Sequence, residues 1–153
     1  MNKILLGLFV FLILNNAAYA SGPVMNGFYI GMAKQKAIDN ANKLGLTIDK
    51  NTITDASFNL YNKSGWYGNI IFGNDIVDQI NFNPKLAFNW QNMDFEIFIY
   101  EFCANYKIPI EKLIKQFDGF YSYKDYDEGY LMFLTPTIIG VGILQKPSEL
   151  QFK

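Results

Sequence analysis

Residues 57–72, which read SFNLYNKSGWYGNIIF, decide the fold class of this chain. Phe58 and Leu60 alternate with polar residues, which is the period of a strand with one buried face. The polar residues 62–65 are typical of a turn, and residues 66–72 are rich in the aromatic and β-branched side chains that favour a second strand. The segment therefore predicts two antiparallel strands joined by a short turn.

A helix precedes this hairpin and another strand follows it. Residues 32–44 carry apolar side chains at helical spacing, and Gly45 is placed to end the helix. After a turn at residues 73–75, residues 76–82 are predicted to form a third strand that ends before Pro84. These elements together make one α-β-β-β unit.

The second half of the chain repeats this order. Asp94 can cap a helix whose apolar stripe includes Phe98 and Phe102. Pro109 interrupts that helix, and residues 110–117 are predicted as a second short helix. Further strands are predicted at residues 120–123, 129–134 and 138–144.

The two halves match in spacing as well as in order. The separations from Met32 to Gly68 and from Met93 to Gly129 are both 36 residues. We therefore predict a tandem duplication in an α+β fold, in which two α-β-β-β units build an antiparallel sheet with helices packed on one face. The units span residues 21–86 and 87–153 and form one compact domain.

Residues 1–20 have the organisation of a secretory signal peptide. Lys3 supplies a positive charge, residues 4–14 are apolar, and Ala18 and Ala20 frame a small-residue cleavage site. The apolar run is shorter than the roughly 20 residues that a membrane span needs. We expect cleavage after Ala20, a periplasmic or secreted protein, and no stable membrane insertion after cleavage.

The composition argues against several kinds of site. The chain has 13 basic residues, all of them lysine, 14 acidic residues and no histidine. Histidine is the usual general base and metal ligand, and arginine is the usual bidentate partner of phosphate. Cys103 is the single cysteine, so it can neither close an internal disulfide nor build a zinc site alone. We expect no catalytic residue, metal or cofactor and, because the net charge is −1, no nucleic-acid partner.

One enzymatic alternative stays open. Asp125, Asp127 and Glu128 are clustered along the chain, and paired carboxylates can hydrolyse glycosides. A carboxylic acid that donates a proton in such a reaction needs an apolar pocket to raise its pKa. The segment 125–129 instead has the composition of a polar, solvated hairpin turn.

Aromatic residues cluster at the two predicted hairpin tips. Tyr61, Trp66 and Tyr67 flank the first turn, and Tyr123 and Tyr126 lie at the second. Tyr and Trp are enriched at protein-binding surfaces because they bury a large area with few rotatable bonds. Packing between neighbouring strands is the alternative role of such rings. The matching positions of the two clusters favour recognition of a partner.

Residues 28–37, which read FYIGMAKQKA, contain a Gly-Met-small-Lys pattern where the first predicted helix begins. This pattern and the tandem order resemble the β-lactamase-inhibitor-like superfamily, which includes the β-lactamase inhibitory proteins and the SmpA/OmlA (BamE-type) outer-membrane assembly proteins. The resemblance implies a non-catalytic protein that binds another protein through its sheet face and hairpin tips. It also implies that the contact residues are Tyr61, Trp66, Tyr67, Tyr123 and Tyr126, with Asp125 as a charged contact at the rim.

We therefore expect an exported, non-catalytic module that binds another protein of the cell envelope, such as an enzyme or toxin that it inhibits. A carboxylate-dependent glycan-active enzyme and a structural component of envelope assembly are the alternatives. The sequence pattern leaves the oligomeric state open.

Overall fold

The computed structural model describes residues 22–49 and 56–144. Within these ranges the chain forms an eight-stranded antiparallel sheet together with helices. The predicted signal peptide, residues 1–20, lies outside the described residues. None of the helices in the described ranges is both long and apolar enough to cross a membrane.

The first half of the described chain contributes one helix and four strands. The helix α1 is followed by the strands in chain order: α1 Lys34–Lys43, β1 Thr47–Asp49, β2 Ser57–Asn62, β3 Gly65–Gly73 and β4 Ile76–Phe82. The strands predicted from the alternating pattern correspond to β2, β3 and β4. β1 was not predicted, so this half has one strand more than the α-β-β-β order.

The second half again ends in four strands. Its elements in chain order are α2 Pro84–Ala87, α3 Phe95–Tyr106, a 3-10 turn Ile110–Lys112, β5 Ile114–Phe117, β6 Phe120–Asp125, β7 Tyr130–Leu134 and β8 Ile139–Ile143. The prediction of a short helix over residues 110–117 is wrong, because only the 3-10 turn forms and β5 follows it. The predicted strands at 120–123, 129–134 and 138–144 correspond to β6, β7 and β8.

The strand order across the sheet is β1-β2-β3-β4-β8-β7-β6-β5, and every neighbouring pair is antiparallel. The two halves join where β4 pairs with β8, from Gln79 opposite Gly142 to Phe82 opposite Ile139. The prediction of an α+β fold built on an antiparallel sheet is confirmed.

The core lies between one face of the sheet and the helices. One row on this face crosses five strands, and its four large side chains are each at most 1% exposed: Leu60, Phe82, Ile139 and Leu134. Burial of one such side chain stabilises the fold by about 1.5–3 kcal/mol. The helices supply the other side of the core with the buried side chains Ala37, Ala41, Phe98, Ile99, Phe102 and Cys103.

Local interactions fix where the helices begin. The Asp94 side chain accepts a hydrogen bond from the Glu96 backbone N–H at 2.8 Å, which makes Asp94 the predicted N-cap of α3. The segment before α1 is bonded to the start of β4, since the Val77 N–H donates to the Met32 carbonyl at 2.8 Å. The Gly-Met-small-Lys pattern therefore joins the first helix to the sheet.

Candidate functional site

The sheet face opposite the core, called here the open face, carries the alternate set of strand residues. Asn59, Asn69 and Asn81 lie side by side on β2, β3 and β4, and Gly140 and Phe133 continue the row onto β8 and β7. The row is therefore polar in the first half of the sheet and apolar in the second.

The asparagines of this row are connected by side-chain hydrogen bonds. Asn81 Nδ2 donates to Asn69 Oδ1 at 2.9 Å, and Gln79 Nε2 donates to Asn81 Oδ1 at 3.0 Å. Asn81 is only 8% exposed, so these bonds satisfy a nearly buried amide. These hydrogen bonds hold the amide side chains of the open face in defined orientations.

A groove of about 340 Å³ runs over the apolar part of the open face. Its floor includes Gly142 of β8, and side chains of β3, β4 and β7 stand around it. The lining residues are Ile71, Asp78, Gln79, Leu131, Phe133, Gly142 and Ile143. The groove exists because Gly142 has no side chain, while Gln79 and Leu131, which pair with it on β4 and β7, carry large ones.

The first hairpin tip divides its aromatic residues between the two faces. Tyr61 and Trp66 are directly opposite each other at the end of β2 and β3, and both are half-buried. They lie on the open face because Tyr61 follows the core residue Leu60. Leu60 pairs with Gly68 and Tyr61 with Trp66, so the bulge leaves Tyr67 as the additional residue.

Tyr67 points to the core side of the sheet. It is 8% exposed, its ring centroid is 5.9 Å from that of Phe82, and its hydroxyl accepts a hydrogen bond from Asn26 Nδ2 at 2.8 Å. Burial raises the pKa of the Tyr67 hydroxyl, while the Asn26 bond lowers it by a smaller amount. The structure thus places Tyr67 in the core rather than on the open face.

The second hairpin tip also divides. Tyr123 is 3% exposed, and its ring lies 5.8 Å from that of Tyr130. Burial raises the pKa of the Tyr123 hydroxyl, which donates a hydrogen bond to Asp125 Oδ2 at 2.9 Å. Tyr123 is therefore a core residue as well, whereas Tyr126 is 59% exposed at the tip.

Asp125 organises the turn in which it lies. Its Oδ1 accepts hydrogen bonds from the backbone N–H groups of Glu128 at 2.9 Å and Asp127 at 3.1 Å. The Glu128 bond is the main reason that the pKa of the Asp125 carboxyl is lowered. Asp127 and Glu128 are exposed. This matches the composition of a hairpin turn, in which the Asp125 carboxylate holds the backbone.

The two tips lie at opposite ends of the sheet. β2 and β6 are separated by β3, β4, β8 and β7, and each neighbouring pair is antiparallel. β2 and β6 therefore run in opposite directions, so the turn that follows β2 and the turn that follows β6 are at opposite ends. A partner that contacts both tips must extend across the sheet.

The described residues offer little for metal or buried-ligand chemistry. Among residues 22–49 and 56–144, no three His, Cys, Asp or Glu side chains are grouped so that they could hold a metal ion. Over the same residues, every buried side-chain nitrogen or oxygen atom has a hydrogen-bond partner. No orphaned polar atom therefore marks an internal ligand site in this part of the chain.

A second concavity lies on the helix side. This cleft of about 470 Å³ is formed by α3 and the segment before it, and it includes Phe88, Trp90, Glu101, Asn105 and Tyr106. The Trp90 indole N–H donates to the Met93 carbonyl at 3.0 Å, and its ring packs 5.5 Å from that of Phe98. Trp90 is thus held by intramolecular contacts.

Sequence reasoning identified Tyr61, Trp66 and Tyr126 as accessible aromatics but missed the groove. Its signal is residues 139–143, which read IGVGI: alternate glycines in a strand leave one face without side chains. Comparison of this chain with protein-family models, with curated proteins and with solved structures found no match.

Proposed function

We propose that this chain is an exported, non-catalytic module that binds another protein of the cell envelope through the open face of its sheet. The observation that carries the proposal is the open face itself, where half-buried aromatic and aliphatic side chains lie outside the core. Tyr61 and Trp66 stand at one end of this face, and the glycine-floored groove beside Leu131 and Phe133 lies near its middle.

The chemistry of this face suits a protein partner. Aromatic side chains are enriched among the residues that dominate binding energy, and one well-buried anchor can contribute about 2–4 kcal/mol. The groove beside Phe133 offers a concave place for such an anchor from the partner, and the fixed Asn69–Asn81 pair offers polar groups next to it. Tyr126 and the Asp125 turn lie at the far end of the sheet, where only an extended partner would reach them.

The tandem duplication is part of this proposal. Each half of the sheet has one helix of at least ten residues followed by four strands, which supports an origin from two copies of one unit. We also propose a relationship to the β-lactamase-inhibitor-like superfamily, on the basis of the motif at residues 31–34 and this order of elements. Inhibition of an envelope enzyme or toxin follows from that analogy alone.

Export rests on the sequence of residues 1–20, with cleavage after Ala20. A role in envelope assembly would use the same open face, and identification of the captured protein distinguishes it from inhibition.

The glycan-active alternative has less support. Its candidate acid would need a raised pKa, but hydrogen bonds within the turn lower the pKa of Asp125. A screen of glycan substrates tests it directly: hydrolysis that is lost in both Asp127→Asn and Glu128→Gln would overturn the non-catalytic proposal.

The central experiment is capture of a partner from an envelope extract by the purified protein. Two open-face variants, Trp66→Ala and Leu131→Lys, are compared with Tyr100→Ala, which removes a 63% exposed ring on α3 at the helix side. We expect the open-face variants to lose the captured protein while Tyr100→Ala keeps it, with unchanged far-UV circular dichroism for all three. Equal capture by all variants, or loss only with Tyr100→Ala, would contradict the proposal.

A further inference from the structure

β5 ends the described sheet on one side, opposite β1. All four of its residues are exposed, and two of them are large and apolar: Ile114 is 56% exposed and Phe117 is 67% exposed. A strand at a sheet edge presents unpaired backbone N–H and C=O groups, and exposed apolar side chains on such a strand favour pairing with another chain.

A bulge brings both apolar side chains of β5 to the same face. Ile114 pairs with Ser122 and Phe117 pairs with Phe120, so Gln116 is the additional residue on the β5 side. Without the bulge, positions 114 and 117 would point to opposite faces. Both lie on the open face, where the Phe117 ring centroid is 5.0 Å from that of Phe120.

The lysine of this strand does not protect the edge. Lysine often prevents edge pairing because its charge projects into the space that another strand would occupy. Lys115 instead forms ion pairs within its own chain, at 3.1 Å to Glu96 Oε1 and 3.3 Å to Asp118 Oδ1. Its ammonium also lies 5.7 Å from the centroid of the Tyr121 ring, on the core side of the sheet.

We propose that β5 pairs antiparallel with β5 of a second copy of this chain, around a twofold axis between residues 115 and 116. This register sets Ile114 opposite Phe117 of the other copy, so apolar side chains face each other on the open face, and no lysine lies opposite another lysine. The antiparallel arrangement also brings Lys112, before one strand, to the end where Asp118 follows the other.

A second copy fits this edge because the four-residue pattern is complementary to itself. Each copy supplies the same row of apolar side chains on the open face and the same opposite charges at the two ends. The dimer would join two eight-stranded sheets into one. Since the paired segment is short, the interface is small and the association is weak and reversible.

The test uses the purified protein and two double variants that differ at one position. Ile114→Lys with Phe117→Lys sets cation opposite cation in the proposed register. Ile114→Glu with Phe117→Lys sets carboxylate opposite cation, and therefore keeps pairing only if that register is correct. Tyr100→Lys, which adds the same charge at an exposed position on α3, is the matched control.

Sedimentation is measured up to about 1 mM protein, since a small interface binds weakly. We expect wild type, Tyr100→Lys and the Glu/Lys variant to dimerise, and the Lys/Lys variant to have a dissociation constant at least about tenfold higher. Amide hydrogen exchange at residues 114–117 of the wild type should also slow as concentration rises, which requires no variant.

Three results would overturn the proposal. These are a wild-type monomer throughout the concentration range, identical behaviour of the two double variants, or exchange at residues 114–117 that is independent of concentration. Pairing of this edge with a strand from a different protein, without self-association, would likewise exclude a second copy as its occupant.

Discussion

The ring of Phe133 lies directly across Gly140 on the neighbouring strand, so that a Cβ atom at position 140 would overlap the ring. The same Cβ would stand 2.7 Å from Asn81 Oδ1. Gly140 is therefore required by the packing of Phe133 on the open face.

Gly140→Ala should destabilise the protein by about 1–3 kcal/mol, because Phe133 must leave its position or the strands must separate. Gly142→Ala is the matched control on the same strand, since its Cβ would meet Gln79 Cγ at an ordinary 3.5 Å. The free energy of unfolding in urea is the measurement. Similar losses for both variants would show that Phe133 is not the cause.

A double-mutant cycle separates the contact from other effects. In a Phe133→Ala background, Gly140→Ala should cost less than in the wild type, with a coupling of at least about 1 kcal/mol. Part of the cost should persist because Asn81 Oδ1 still lies close to position 140. An additive cycle would contradict the proposed contact.

Tyr67→Phe should lower the free energy of unfolding by about 0.5–1.5 kcal/mol, because the variant lacks the hydroxyl that accepts a bond from Asn26. The ring packing against Phe82 is retained, so the fold and partner capture should be unchanged. Urea unfolding and the capture assay check the two parts. If Tyr67→Phe lost partner capture while its free energy of unfolding stayed unchanged, Tyr67 would have to be a contact residue.

The Cys103 thiol should resist modification in the folded protein. It is buried, and burial raises its pKa to about 11, so about 0.1% is thiolate at pH 8, compared with about a quarter of an ordinary cysteine. We expect Ellman's reagent to react at least about 100-fold more slowly than in urea. Fast labelling under native conditions would show that the site opens readily.

Asp125 should make stability depend on pH in the acid range. Its folded-state pKa is lowered, so its stabilising effect is present above the ordinary pKa of an aspartate and is lost as the pH falls through the folded value. The stability difference between wild type and Asp125→Asn should therefore narrow between pH 6 and pH 3. The carboxylate is solvated, so we expect less than about 1 kcal/mol. Asp127→Asn, in the exposed part of the same turn, is the control variant.

Much of the sheet could be predicted because its inner strands have strong local patterns. The alternation of Phe58 and Leu60 with polar residues is typical of a strand with one buried face, and the polar residues that follow are typical of a turn. β5 shows the opposite case. Ile110, Leu113, Ile114 and Phe117 have helical spacing, yet pairing with β6 makes a strand of the last four residues of this segment. Tertiary contacts therefore outweighed the local period.

The candidate site could be predicted only in part, because alternation shows which residues share a face but not which face the helices cover. The bulge opposite Leu60 and Tyr61 also interrupts the alternation of side chains between the two faces of β3. As a result Tyr67 lies on the core side, while Trp66 stays on the open face. Tyr123 was assigned to the surface for its position near a turn, but its neighbours in the sheet are core residues.

The junction of β4 with β8 has a consequence for how the protein is made. The paired residues are 57 to 63 positions apart in the chain, so β4 is synthesised long before its inner partner exists. Until β8 is made, β4 can pair with β3 on one side only, and its other edge has unpaired backbone groups. Intermediates with an exposed strand edge of this kind are prone to aggregate. Release of the chain before Ile139 would leave that edge permanently unpaired, and chaperone binding should concentrate on β4.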